Sequence, residues 1–182
     1  QDQYISAFGG INSFEIDRSG KVTISPIPAS ADTLDELESN LLLFYTGQQR
    51  SASSILKDQE KRSSLSDKEI FENLHKTKEL GKISFQLLKD SKLKQFALLM
   101  HEHWMNKRKR SSGMSNNFMD KVYDAAIDNG ALGGKVVGAG GGGFLMFYTE
   151  NKKTLREEMA KFKLKEMKFR FDYNGVQTLI NQ

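Results

Sequence analysis

A chain of 182 residues with 38% hydrophobic residues is long enough for one packed domain, or for one domain and part of another. The formal charge of +4 suits a phosphate-bearing partner only weakly, because 23 acidic residues are interspersed with the 27 basic ones. The lack of cysteine excludes disulfides and thiolate metal sites, no run spans a bilayer, and the first residues lack the pattern of a signal peptide, so the expected address is cytoplasmic with no membrane partner. His75, His101 and His103 are too few and too badly spaced for zinc and read as structural.

In chain order, INSFEID and KVTISPI alternate in polarity around the turn signal Asp17-Arg18-Ser19-Gly20, which predicts a hairpin. Pro26 and Pro28 mark a boundary, and the continuous apolar run from Leu41 to Gly47 reads as a buried strand ending at the glycine. The middle of the chain is helical. Ser66-Asp67-Lys68-Glu69 is a capping box, with Leu80, Ile83 and Leu87 on one face. Asp90 or Ser91 is expected to cap a second helix carrying Phe96, Leu99, Met100, His103 and Trp104 inward. That helix ends in Lys107-Arg108-Lys109-Arg110, read as a solvated, dipole-compensating helix end rather than a nucleic-acid contact. Ser115 opens a third, with Phe118, Val122 and Ala126 inward and a stop at Gly130. Asn151 caps a short helix, and KEMKFRFDY alternates over Met167, Phe169, Phe171 and Tyr173 as a strand with one buried face. The order from Leu41 onward predicts an α+β fold: a mainly antiparallel, ferredoxin-like sheet with a helical layer and insertion.

KVVGAGGGGFLMFY places five glycines in six positions between two apolar runs, which argues against a linker. Gly138, Gly140 and Gly143 satisfy G-x-G-x-x-G, but a strand follows where the dinucleotide fingerprint needs a helix. The phosphate loop G-x-x-x-x-G-K-S/T fails at Asn129 and Val136. The octamer GGGGFLMF matches the RNA-binding strand of RRM domains at Gly141, Gly143, Phe144, Leu145 and Phe147, yet has Gly142 where a base-stacking ring belongs. Two readings remain open: an anion-binding nest of backbone N–H groups, or a tight, strained turn.

KVVGAGGGGFLMFY resembles the third conserved motif of the GHMP kinases, and QDQYISAFGGIN, YTGQQRSAS and MHEHWMNKRKRSS narrow the resemblance to heptose 7-phosphate kinases over essentially the whole chain. The resemblance implies phosphoryl transfer from ATP, with Mg2+, to the anomeric hydroxyl of D-glycero-D-manno-heptose 7-phosphate, for activated heptose in surface polysaccharide. It implies Asp2 as the carboxylate beside the acceptor hydroxyl, Gln3, Gly10 and Arg50 as substrate contacts, and Gly138, Ala139, Gly140, Gly141, Gly142 and Gly143 as the phosphate-proximal loop. Arg50 is the expected clamp on the sugar phosphate, and Lys135 reads equally as ligand or scaffold. The P-x-x-x-G-L-G-S-S nucleotide loop of the family is absent from the sequence, and no metal ligand is assigned within it. The expectation is therefore a carboxy-terminal portion whose partner is the amino-terminal half, inactive alone, with residues 1–30 ending the amino-terminal domain and 31–182 forming the carboxy-terminal one. Kinases of galactose, fucose or mevalonate are the near alternatives, and an RRM-like RNA-binding module is the distant one.

Overall fold

Asp17 closes the first hairpin as the turn signal requires. Its Oδ1 accepts from the Ser19 amide at 2.8 Å, the Ser19 hydroxyl at 2.6 Å and the Lys21 amide at 3.0 Å. Those hydrogen bonds hold the Asp17 carboxyl below its ordinary pKa. The structure, a computed structural model, describes residues 2–47, 68–109, 114–137 and 142–178. It contains α1 (Asp2–Phe8), β1 (Asn12–Ile16), β2 (Val22–Pro26), α2 (Ala31–Asn40), β3 (Leu41–Tyr45), α3 (Lys68–Lys89) and α4 (Leu93–Arg108). It continues with α5 (Asn117–Asp128), β4 (Ala131–Val137), β5 (Phe144–Thr149), α6 (Lys152–Lys161) and β6 (Lys165–Met167).

Strands β1 and β2 form a two-stranded antiparallel sheet, and the larger sheet runs β4-β5-β3-β6 with every neighbour antiparallel. From β3 onward this is the expected ferredoxin-like arrangement with a helical insertion. Alternation along the strands sends Leu42, Phe44, Val136, Leu145 and Phe147 into one core with Val122 and Tyr123 of α5 and Leu155 and Met159 of α6. The opposite face gives Leu41 and Tyr148 to a second core with Leu37, Leu88, Leu93, Ala97 and Met100. Ile11 and Ile27, from the first thirty residues, pack against that second core. No described helix is long and apolar enough to cross a membrane.

Several local expectations are corrected. The buried face of α3 holds Ile70, Asn73, Leu80 and Leu88, while Ile83 is 47% exposed. The second helix starts from Lys92 without a side-chain cap. Ser91 instead ends α3 in the left-handed region (φ +57), its amide donating to the Leu88 carbonyl and that of Lys92 to the Leu87 carbonyl. Its hydroxyl is engaged with Thr33 Oγ1 at 2.7 Å. The cap of α5 is Asn116, one residue beyond Ser115, which bonds Asp120 instead. Arg108 is not a free solvated end: it bridges to Asp120 at 2.7 Å. Asn151 caps α6 as expected. The last strand stops at Met167, opposite Leu43 and two residues short of the start of β3 at Leu41. Beyond it the Phe171 amide donates to a Glu38 carboxylate oxygen at 2.6 Å rather than to a ladder. Phe169 and Phe171 still pack on the second core, whereas Met167 and Tyr173 are exposed, so the alternation reflects burial only at its centre and without strand pairing. The Ser66-Asp67 half of the capping box lies outside the described residues.

Candidate functional site

The register aligns Val137, Phe144, Tyr45 and Lys165 in one row across the end of the sheet. Just beyond that row, Thr46 and Gly47 follow β3 and Gly142 and Gly143 precede β5. The Thr46 amide and hydroxyl both donate to the Gly143 carbonyl, at 2.9 and 3.0 Å. Gly143 sits at φ +87, a conformation in which a side chain would be strained. The described end of the glycine loop is thus anchored through the Gly143 carbonyl to the end of β3. The tilted ring pair Tyr45–Phe144, with centroids 5.2 Å apart, closes the row beneath it. Gly142 is buried. Gly138, Ala139, Gly140, Gly141 and Arg50 lie outside the described residues.

Lys135 shares the sheet face of Tyr45, Phe144 and Met146, its cross-strand partner. It is partly buried, with no hydrogen-bond or ion-pair partner among the described residues, and burial pushes its ammonium below the ordinary lysine pKa. An unpaired, partly desolvated cation three residues before the loop is suited to an anion. Beside it, on the other face, Tyr123 donates to the Gly134 carbonyl at 3.2 Å and lies 2.9 Å from His101 Nδ1. The single hydroxyl proton goes to the carbonyl, so His101 Nδ1 donates to the phenol oxygen. The sequence reading of His101 as structural agrees with this bond. Burial raises the Tyr123 pKa above its ordinary value, which keeps that proton in place.

Asp2 and Gln3 are exposed and open the seven-residue helix α1, in which no residue is buried. Gly10, at φ +73, donates its amide to the Asp172 carbonyl at 2.6 Å, which leaves that N–H no free capacity for a ligand. Among the described residues, no hydrogen bond joins Asp2 or Gln3 to Gly142, Gly143 or Lys135. No group of three His, Asp or Glu side chains suited to a metal ion occurs among the described residues. Thr46 is the member of this site that sequence reasoning passed over. Its signal was a hydroxyl residue between an apolar strand and a glycine, inside the quoted YTGQQR.

Residues 84–165 match the protein-family profile described as GHMP kinases C terminal. Across 98% of this chain and 52% of the relative, the sequence is 31% identical to a protein of Campylobacter jejuni named D-glycero-alpha-D-manno-heptose 7-phosphate kinase. The chain carries a GHMP kinase C-terminal domain. This GHMP chain is also 30% identical, over 90% of its length and 15% of the relative, to a bifunctional fucokinase/GDP-fucose pyrophosphorylase of Arabidopsis thaliana. Among solved structures, a D-glycero-D-manno-heptose 1-phosphate kinase from Bacteroides thetaiotaomicron superposes with a TM-score of 0.67 at 27% identity. That match covers 95% of this chain and 46% of the other. The GHMP chain thus spans about half the length of these two heptose-phosphate kinases, and less of the fucokinase.

Proposed function

We propose that the chain is the carboxy-terminal portion of a cytoplasmic sugar kinase that transfers the ATP γ-phosphoryl group to the anomeric hydroxyl of D-glycero-D-manno-heptose 7-phosphate, supplying nucleotide-activated heptose for surface polysaccharide. The observation that carries this reading is the 31% identity to the Campylobacter jejuni heptose 7-phosphate kinase across 98% of the chain. In the proposed step the anomeric oxygen forms a bond to the γ-phosphorus while the bond from that phosphorus to the β–γ bridging oxygen breaks. ADP leaves, and the hydroxyl proton passes to the Asp2 carboxylate. Arg50 holds the 7-phosphate in a bidentate contact, Gln3 orients the sugar, and Gly10 shapes the wall beside it. Residues 138–143 bring bare backbone to the nucleotide phosphates, with the partly buried Lys135 as a nearby positive charge. Residues 1–30 are read as the end of the amino-terminal domain and 31–182 as the carboxy-terminal one. Magnesium would enter with the nucleotide; no group of three His, Asp or Glu side chains suited to it occurs among the described residues.

The 30% identity to the Arabidopsis thaliana fucokinase favours a second reading, in which the acceptor is an unphosphorylated sugar such as fucose. The test is ADP release from ATP and magnesium by this chain supplied with the amino-terminal half of the Campylobacter jejuni relative, against heptose 7-phosphate, heptose, fucose, galactose and mevalonate. Turnover with heptose 7-phosphate that falls about a hundredfold or more in Asp2→Asn supports the first reading. Selective turnover with fucose supports the second. The 182 residues alone are expected to release no ADP above background, because their sequence contains no nucleotide loop of the P-x-x-x-G-L-G-S-S type.

A further inference from the structure

Helix α1 has no buried residue, and its side-chain packing is limited to partly exposed contacts such as Tyr4 against Phe14, with ring centroids 6.3 Å apart. Its last turn is instead interlocked with the backbone of residues 172–176. The Gly10 amide donates to the Asp172 carbonyl at 2.6 Å, and the Val176 amide donates to the Ala7 carbonyl at 3.1 Å. Two glycines make this approach possible. A Cβ on Gly9 would lie 2.5 Å from the Gly175 nitrogen, and one on Gly175 would lie 2.3 Å from the Ala7 oxygen. Both also hold positive φ, +65 and +59. The Gly9 carbonyl is fixed from the other side by Asn12 Nδ2 at 2.6 Å.

The segment that grips α1 is itself anchored to the core. Phe169 and Phe171 pack on the second hydrophobic cluster, the Phe171 amide donates to Glu38, and the Asp172 carboxylate accepts from the Asn174 amide at 2.8 Å. A continuous line of contacts therefore runs from the sheet through Phe171 and Gly175 to Ala7 and Gly9, and along α1 to Asp2, about 10 Å from the gripped end. We infer that Gly9 and Gly175 form a backbone clasp whose role is to position α1, and with it Asp2 and Gln3, for phosphoryl transfer. They are positioning residues and touch no substrate. The catalytic part of this inference rests on the proposed role of Asp2; the clasp rests on geometry alone.

The experiment measures backbone NMR order parameters in the 182-residue chain, for the parent, Gly175→Ala, and a variant ending after Phe171. In the parent, residues 2–8 are expected near the rigid value of about 0.85, as are β3 and β5. In both variants residues 2–8 fall below about 0.6 while β3 and β5 keep their values. Unchanged order in α1 in both variants would overturn the clasp, and so would loss of order in β3 and β5 along with it. The same substitution is then assayed in the completed kinase beside Asp2→Asn. Gly175→Ala is expected to lower kcat at least tenfold with KM for the sugar little changed. Full activity of Asp2→Asn would refute the reading of Asp2 and leave the clasp to stand or fall on the order parameters. Full activity of Gly175→Ala with a mobile α1 would overturn its positioning role.

Discussion

Lys135 is a partly buried cation with no counter-charge among the described residues, and its desolvation costs the native state stability. Because burial lowers its native pKa below the ordinary 10.5, the unfolded chain binds this proton more tightly than the folded one. The resulting destabilisation is complete below the native pKa and fades as pH rises toward 10.5. Lys135→Met is therefore expected to stabilise the fold by about 1 kcal/mol at neutral pH, by urea denaturation, with the gain shrinking at alkaline pH. If Lys135 meets phosphate, the same variant loses turnover as it gains stability. Asn106 presents the opposite case. Its side-chain amide donates to the Asn73 carbonyl at 3.1 Å, and the Asn73 amide donates to the Asn106 carbonyl at 2.6 Å, both residues buried between α3 and α4. Asn106→Leu keeps the backbone carbonyl that the Asn73 amide uses but removes the side-chain donor to the Asn73 carbonyl and the Oδ1 that the Asn73 amide reaches at 3.0 Å, and is expected to cost about 2 kcal/mol in the same measurement. Neither asparagine was legible as core, because in sequence a lone Asn on a helix reads as a solvent position; only the facing helix supplies its partner.

At the scale of elements, what local chemistry decides was legible and what the neighbouring element decides was not. The Asp17 turn, the buried run of β3 and the Asn151 cap each depend on residues within a few positions. The start of α4 does not: Ser91 is spent on ending α3, and its hydroxyl is held by Thr33 from a distant helix. The alternation from Met167 to Tyr173 promised a longer strand, yet ladder pairing needs a partner backbone, and beyond Phe169 the register runs past the start of β3 into α2. Lys163 ends α6 as Ser91 ends α3, in the left-handed region at φ +57, and is exposed. Lys163→Gly should raise stability by about 1 kcal/mol, read as a higher thermal midpoint. Gly133 shows the converse. A Cβ there would stand 1.8 Å from the Ala97 carbonyl oxygen, so α4 packs directly on the β4 backbone. Gly133→Ala should lower stability by about 3 kcal/mol, because a rigid backbone rather than a side chain must yield.

For the whole molecule, the order of strands and helices was enough to specify the ferredoxin-like sheet, since from β3 onward the strands and their connecting helices follow the strand-helix-strand-strand-helix-strand order of that fold. The candidate site was legible only as a set of separate motifs. Sequence brings YTGQQR and the glycine loop to one conclusion through resemblance, whereas the structure joins them physically, through Thr46 and Gly143. It also ties α1 to the far carboxy-terminal segment, a pairing that no periodicity announces because it is made by backbone atoms of glycines. The central claim is phosphoryl transfer to the anomeric oxygen of a heptose phosphate, and 31P NMR of the reaction product tests it most directly. With ATP, magnesium, heptose 7-phosphate and the completed kinase, the account predicts a second sugar-phosphate resonance coupled to the anomeric proton, beside the original 7-phosphate signal. A new phosphate coupled to any other proton, or no new sugar phosphate while fucose or mevalonate is turned over, would contradict it.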